Sequence, residues 1–494
     1  MGQEIEARAF TREDRARFRS KLRRCTEACT QMLDESWFEG DSRSTGFEIE
    51  LNLVDERGDP ALRNAEILEA IDDPAFQTEL AQYNIEVNMA PRRLYGSALK
   101  DFEDDLWARL NAADAKARER GARIAMVGIL PTVTAGHMSV DVLSPNTRYK
   151  LLNDQIILAR GEDIRIVIDG VDELVMTTDT VAPESACTST QLHLQVSPDA
   201  FAAYWNAAQA IAGPQVAVCA NSPFLFGKEL WRETRIKLFE QAIDTRSDEL
   251  VEQGVRPRVW FGERWLGSVS ELFDENVRYF SPLLPVCDDE DPLESLGSGR
   301  TPDLSELRLH NGTIYRWNRP VYDVVDNQPH LRIENRVLPA GPTVVDVLAN
   351  AAFYFGLVRQ LAEADRPLWS QMSFDAAAEN FVRGARHGIG AEQYWPGSGW
   401  LQAAELVLRK LLPLAHEGLA SWGVDRAQRE RLLGVIEQRC LSGQNGAAWQ
   451  VATFHRIYDR GRISRLDALR EMVRRYLEYM STNAPVHTWP VDQS

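Results

Sequence analysis

Four short stretches of this 494-residue chain place polar or charged residues on alternate positions, with large apolar residues between them. They are Glu48-Ile49-Glu50-Leu51-Asn52, Glu86-Val87-Asn88, Gln191-Leu192-His193-Leu194-Gln195 and Arg332-Ile333-Glu334-Asn335-Arg336. Successive side chains of a strand point to opposite faces, so a period of two sends each polar set one way and each apolar set the other. Joined in one sheet, these stretches would build a face carrying several carboxylates, a histidine and two arginines. Such a face suits divalent metals and polyphosphate.

The individual residues sharpen that reading. Glu48 and Glu50 share one side of a strand, where two close carboxylates repel and one tends to hold a proton unless a cation intervenes. Mg2+, which prefers hard oxygen ligands, would remove the conflict. Taken alone, the strand reads rather as a one-sided antiparallel strand whose polar face meets water. Glu86 weakens that bland alternative, because its face also carries Asn84 and Asn88, and asparagine is depleted in strands. His193, flanked by Gln191 and Gln195, fits a satisfied structural histidine as well as a metal ligand or phosphate donor. Arg332 and Arg336 flank Glu334; as a solvated surface this triplet is worth little, but it also forms a phosphate clamp beside a metal ligand. Phosphoryl transfer needs positioning and charge neutralisation more than covalent help from the protein.

Around these strands the spacing predicts a helix over 11–36, opened by Thr11 with Asp14 as its capping partner. It predicts a strand over 44–54, a helix over 64–72, a strand over 83–89 closed by Pro91, and a helix over 97–120. Further strands are expected at 123–130, 187–197, 312–316 and 330–338. Helices follow at 199–220, interrupted at Gly213-Pro214, and at 229–243, and then from about 343 onward. Residues 284–304, rich in Asp, Pro, Gly and Ser, read as an exposed loop, either a lid or a connector. Irregularly interspersed strands and helices, then a run of helices, indicate an α+β fold with a helical C-terminal region. The expected division is an N-terminal helix over 1–40, a catalytic α+β domain over 41–365 and a mainly helical region over 366–494.

Composition narrows the function. A formal net charge of -18, with no long Lys/Arg run, argues against a nucleic-acid partner. Six cysteines in a chain this long make no disulfide framework, and Cys25 and Cys29 read as small buried residues. The N-terminal Met1 to Glu6 lacks an apolar signal core, and no apolar run approaches the ~20 residues that span a bilayer. The expectation is a cytoplasmic protein without a membrane partner, with room for a homo-oligomer. Neither a phosphate-binding Gly-x4-Gly-Lys-Ser/Thr loop nor a Gly-x-Gly-x-x-Gly turn after a strand occurs. Gly297-Ser298-Gly299-Arg300 sits in a loop context. Any nucleotide would therefore lie on the sheet face.

The ordered set Gly46-Phe47-Glu48-Ile49-Glu50, Glu86-Val87-Asn88, Ser189-Thr190-Gln191-Leu192-His193, Ala220-Asn221-Ser222-Pro223-Phe224 and Arg332 to Arg336, with Pro342-Thr343 after it, resembles the glutamate–cysteine ligase type 2 family of carboxylate–amine ligases. The resemblance spans about residues 44–365, and Gly443 to Ala447 with Trp449-Gln450 extends it. It implies a curved, mainly antiparallel sheet of the glutamine synthetase and guanido kinase type, lining the active site and packed with helices. It further implies that Glu48, Glu50, Glu86, His193 and Glu334 hold Mg2+, or Mn2+, around ATP, with Gln191, His193, Arg332 and Arg336 at the nucleotide. Glu50, Arg332 and Arg336 would be catalytic, and Asn221, Arg235, Arg316 and Arg319 would contact substrate. The implied reaction activates a carboxylate, plausibly the glutamate γ-carboxylate, as an acyl phosphate and joins it to an amino-acid amine, cysteine being the leading candidate. The alternatives are a guanido-kinase-like phosphotransferase and a non-catalytic ligand-binding protein on the same scaffold.

Overall fold

The structure is a computed structural model that describes residues 9–38, 40, 43–461 and 463–491; the N-terminal Met1 to Glu6 lies outside them. Seven strands form the main sheet: β1 (Ser44–Val54), β2 (Phe76–Thr78), β3 (Asn84–Arg93), β4 (Arg123–Ala125), β5 (Ser189–Gln195), β6 (Asn318–Val325) and β7 (Gln328–Pro339). Their order is β6-β7-β5-β1-β3-β2, and every neighbouring pair is antiparallel. β5 pairs with the first half of β1, while β4 takes over the same edge at Asn52–Val54. The sheet curls into an antiparallel half-barrel, and helices with four small two-stranded sheets make up the rest of an α+β fold.

The apolar alternates behave as period two requires. Phe47, Ile49, Leu51 and Leu53 of β1, Ile85 and Val87 of β3, Leu192 and Leu194 of β5 and Ile333 of β7 are all buried. They join one hydrophobic cluster whose members run from Phe18 to Trp489. The helices Pro198–Cys219 and Val344–Ala362 supply much of it; sixteen residues of the second are buried. That second helix is long and apolar enough to cross a bilayer by composition, contrary to the expectation that no run approaches such a length. Here it is a core helix.

Other differences have local causes. β3 does not stop at Pro91 but runs on to Arg93, because the β1–β3 register shifts between Thr45 and Phe47 and the missing N–H falls in that bulge. The helix Pro198–Cys219 passes unbroken through Pro214. Gly213 serves packing rather than interruption: a Cβ there would stand 2.5 Å from the Asn380 carbonyl carbon, where the helix Phe374–His387 crosses. β4 ends at Ala125, short of the expected 130, and the helix expected from 229 begins at Thr234. The 284–304 segment contains a helix, Pro292–Gly297, capped by Asp291. Arg24 of the N-terminal helix Arg12–Asp34 grips that same aspartate at 2.6 and 2.7 Å, which pins the segment in place. The expected Thr11–Asp14 capping box is present.

Candidate active site

Register converts the four local patterns into rows across the sheet. Arg319 of β6 lies opposite Glu334 of β7, Glu334 opposite His193 of β5, and His193 opposite Gly46 of β1. The next row holds Gln191, Glu48 and Asn88, and the one after it Glu50, Glu86 and Gln77. Gly46 leaves the space beside the imidazole open, since a Cβ there would already lie 3.7 Å from that of His193.

A bulge in β7 completes the face. Between Asn335 and Leu338 the register against β5 shifts, so that two residues of β7 oppose one of β5. Leu338 has the sequence parity of Glu334 and Arg336, yet it is fully buried in the core. The bulge turns it over. Arg235, on the helix Thr234–Ala242, supports the bulge from behind by donating to the carbonyls of Arg336 and Val337, while its Nε meets Glu233 at 3.0 Å.

Glu48, His193 and Glu334 each bring a ligand atom within 4.8 Å of the others. His193 Nε2 lies 3.0 Å from Glu48 Oε1 but out of line for a hydrogen bond, and it is buried with no other partner among the described residues. Arg332 Nε donates to His193 Nδ1 at 3.1 Å, and its Nη1 donates to Asp323 at 3.0 Å. Glu334 is fully buried and receives Arg319 Nε and Nη2 at 2.5 and 3.0 Å and Arg336 Nη1 at 2.5 Å. Arg336 Nη1 also donates to Gln191 Oε1 at 2.5 Å, and Gln191 Nε2 donates to Glu50 at 2.6 Å. The Ser189 N–H reaches the other Glu50 oxygen at 2.7 Å.

Electrostatics divides this face in two. Burial pushes Glu334 upward, but the guanidiniums of Arg319 and Arg336 outweigh it and hold the carboxyl well below its usual range. Glu48 is likewise brought down to about 2, against burial, by the neighbouring His193. On the β3 side the balance reverses. Burial, then the charges of Glu48 and Glu50, push Glu86 up to about 7, and burial raises Glu50 despite Arg336. Two residues that the alternation did not single out join this half. Burial and the charges of Glu86 and Glu50 push Glu79 well up, and burial with Glu50 pushes Glu184 up to about 8. Glu79 follows the short β2 and Glu184 sits in the single turn Ala182–Ala186, so neither lies in an alternating run. Crowded carboxylates whose charges go uncompensated fit hard divalent cations. Arg319 and Arg336 together fill the lone pairs of Glu334 Oε1, whereas Oε2 accepts from Arg319 Nε alone and keeps one lone pair for a cation.

The sequence matches the family model of glutamate–cysteine ligase family 2 over residues 44–471. The chain belongs to that family. Among solved structures, the glutamate–cysteine ligase of Francisella tularensis, determined in complex with AMP, aligns with a TM-score of 0.50 at 10% identity, covering 92% of this chain and 91% of that one. A bifunctional glutathione synthetase from Pasteurella multocida gives 0.46 at 12% identity, covering 92% of this chain and 55% of that one. The complex between the ubiquitin-like protein Pup and its ligase PafA gives 0.39 at 12% identity, covering 89% and 72%. No curated protein sequence matches the chain.

Three residues that the resemblance assigns to substrate are not brought to the face in this glutamate–cysteine ligase family 2 chain. Arg235 is spent on the bulge, as described. Arg316 is buried against Glu275 at 3.0 Å and beneath the Trp260 ring, on the side away from Glu334. Asn221 is fully buried; its Nδ2 donates to Ala340 O and Tyr476 Oη, and its Oδ1 accepts from Gln450. This joint accounts for the Gly443 to Ala447 and Trp449-Gln450 segment. Asn445 caps the helix Gly446–Arg460 and donates to Ala217 O, and a Cβ on Gly446 would fall 2.0 Å from Asn221 Oδ1. Asn221 holds the two motifs together. Arg319 does reach the face, but in this state it grips Glu334.

Proposed function

We propose that this chain is an ATP-dependent carboxylate–amine ligase that activates the γ-carboxylate of glutamate and joins it to the amine of a second amino acid, with cysteine first among the candidates. The observation that carries the reading is the convergence of Glu48, His193 and Glu334, from three separate strands, beside Arg332 and Arg336. A free carboxylate is a poor electrophile towards an amine at neutral pH. In the first step a carboxylate oxygen attacks the γ-phosphorus of ATP, giving an acyl phosphate and ADP. In the second the amine attacks the acyl carbon, loses a proton, and expels inorganic phosphate. Mg2+, or Mn2+, held by Glu48, His193 and Glu334 and by Glu50 and Glu86, would neutralise charge on the triphosphate.

Arg332 and Arg336 present planar forks to phosphate oxygens, and Gln191 ties Arg336 to Glu50. Arg319 stands at the end of the same row and would exchange part of its hold on Glu334 for a substrate carboxylate. The six cysteines are free thiols, which supports a reducing cytoplasmic setting.

The deciding experiment incubates the protein with Mg-ATP, glutamate and each of a panel of amines, and identifies products by mass. Amide formation, with ADP and phosphate release that requires both substrates, is expected. A stable phosphorylated compound formed without an amine would instead establish a phosphotransferase. Absence of Mg-ATP binding by calorimetry would refute the ligase reading and support a non-catalytic protein on the same scaffold.

A further inference from the structure

A cleft of about 370 Å³ opens between the helix Arg12–Asp34, the helix Thr147–Arg160 and the segment 245–283. None of its lining residues belongs to the main sheet. Four arginines line it, Arg15, Arg246, Arg256 and Arg258, and no aspartate or glutamate does so among the described residues.

The four differ in how their charge is met. Arg246 pairs with Asp244 and Arg256 with Glu263. Among the described residues Arg15 donates to Pro282 O at 3.0 Å and Gln155 Oε1 at 2.7 Å and to no carboxylate. Arg258 donates to Thr313 O at 3.1 Å and to Ser281 O, and its Nε has no partner. It is 4% exposed. The guanidinium also lies over the Phe280 ring at 5.8 Å and feels the charge of Asp244, but burial outweighs that charge and no carboxylate among the described residues hydrogen-bonds it, so an anion reaching its free Nε–H would lower the cost of burying it. The Arg256 Nη1 beside it is also buried and unpartnered. Apolar side chains stand exposed around the opening: Leu158, Leu250, Val255 and Tyr279 all line the cleft and face solvent. A cationic floor under an apolar rim is the composition of a small-ligand site.

We propose that this cleft is a second binding site, for a small organic anion that carries an apolar group beside a carboxylate or a phosphate ester. The site does not depend on the ligase reading, because no residue of the sheet face takes part. Arg15 and Arg258 would fork onto the anion, and the apolar group would cover Leu158 and Tyr279.

The test is calorimetric titration of the full chain with benzoate, phenyl phosphate and phenol, repeated in Arg15→Gln and Arg258→Gln. One of the two anions is expected to bind, more weakly as salt is raised, and phenol is not. Which anion binds separates the carboxylate from the phosphate source. Arg15→Gln, at a half-buried position whose loss the fold tolerates, should weaken that anion at least about tenfold, the size of a charge-assisted hydrogen bond. Arg258→Gln should do the same where its melting curve shows a folded protein. Equal affinity in wild type and Arg15→Gln would overturn the proposal, as would phenol binding as tightly as the anions, or no binding of either anion at millimolar concentration. A dimer that Arg15→Gln dissociates, with neither anion bound, would overturn it too and assign the cleft to a second copy of the chain.

Discussion

Replacing Glu86 by glutamine should stabilise the metal-free protein at alkaline pH and leave it unchanged at acid pH. Glu86 is 5% exposed, opposite Glu50 in the register and one row from Glu48. Burial and those two charges bring it up from about 4.5 to about 7. A raised acid contributes its full stability below the unfolded value and loses it as pH rises through the folded one. The window is therefore pH 4.5 to 7. Across it the gap costs roughly 3 kcal/mol at 1.36 kcal/mol per pH unit. Glutamine keeps the acceptor that takes the 2.6 Å bond from Asn88 and removes only the charge. At about 2.1 cal/mol/K per residue, unfolding this chain as one unit carries an entropy near 1 kcal/mol/K, so the gain is about 3 °C. Scanning calorimetry in chelator at pH 5 and pH 8 measures it. Mg2+ at pH 8 should raise the wild-type midpoint and raise that of Glu86→Gln less. A midpoint difference between variant and wild type that is the same at both pH values would refute the charge-crowding argument.

Three further outcomes follow from other sites. Glu334→Gln should lower Mg-ATP-dependent turnover by roughly 100- to 1,000-fold or more, since it removes a carboxylate at the proposed metal cluster, while circular dichroism shows a folded protein. Arg316→Met should cost about 3 kcal/mol of stability by breaking the buried pair with Glu275, and kcat/KM should stay unchanged, because that guanidinium lies off the face. Gly418→Ala should lower the melting midpoint by about 1–3 °C or more, an overpacking cost of about 1–3 kcal/mol, because the added Cβ would stand 1.8 Å from the Gly356 carbonyl oxygen where two helices touch.

The legible part of the site was the part written locally. Alternation alone placed Glu48, Glu50, Glu86, His193 and Glu334 on strands with their apolar neighbours buried beneath, because side-chain direction in a strand depends only on parity. Parity failed where the chain departed from a regular ladder. Pro91 looked like the end of β3 but sits in a bulge, and Leu338 crosses to the core because the β7 ladder slips by a residue. Glu79 and Glu184 carry no periodic signal, and only their approach to Glu50 reveals them.

By itself, then, the sequence determined which side chains leave each strand on the polar side, and the ordered motifs tied that pattern to a family. The tertiary structure decided everything that depends on strands far apart in the chain. It set Glu334 against His193 and His193 against Gly46, it spent Arg235 on a backbone bulge and Arg316 on a buried pair, and it gathered Arg15 with Arg258 in a separate cleft. The reason is physical: the direction of a side chain is fixed by its own backbone, whereas what it meets is fixed by the register between segments, and register belongs to the assembled sheet.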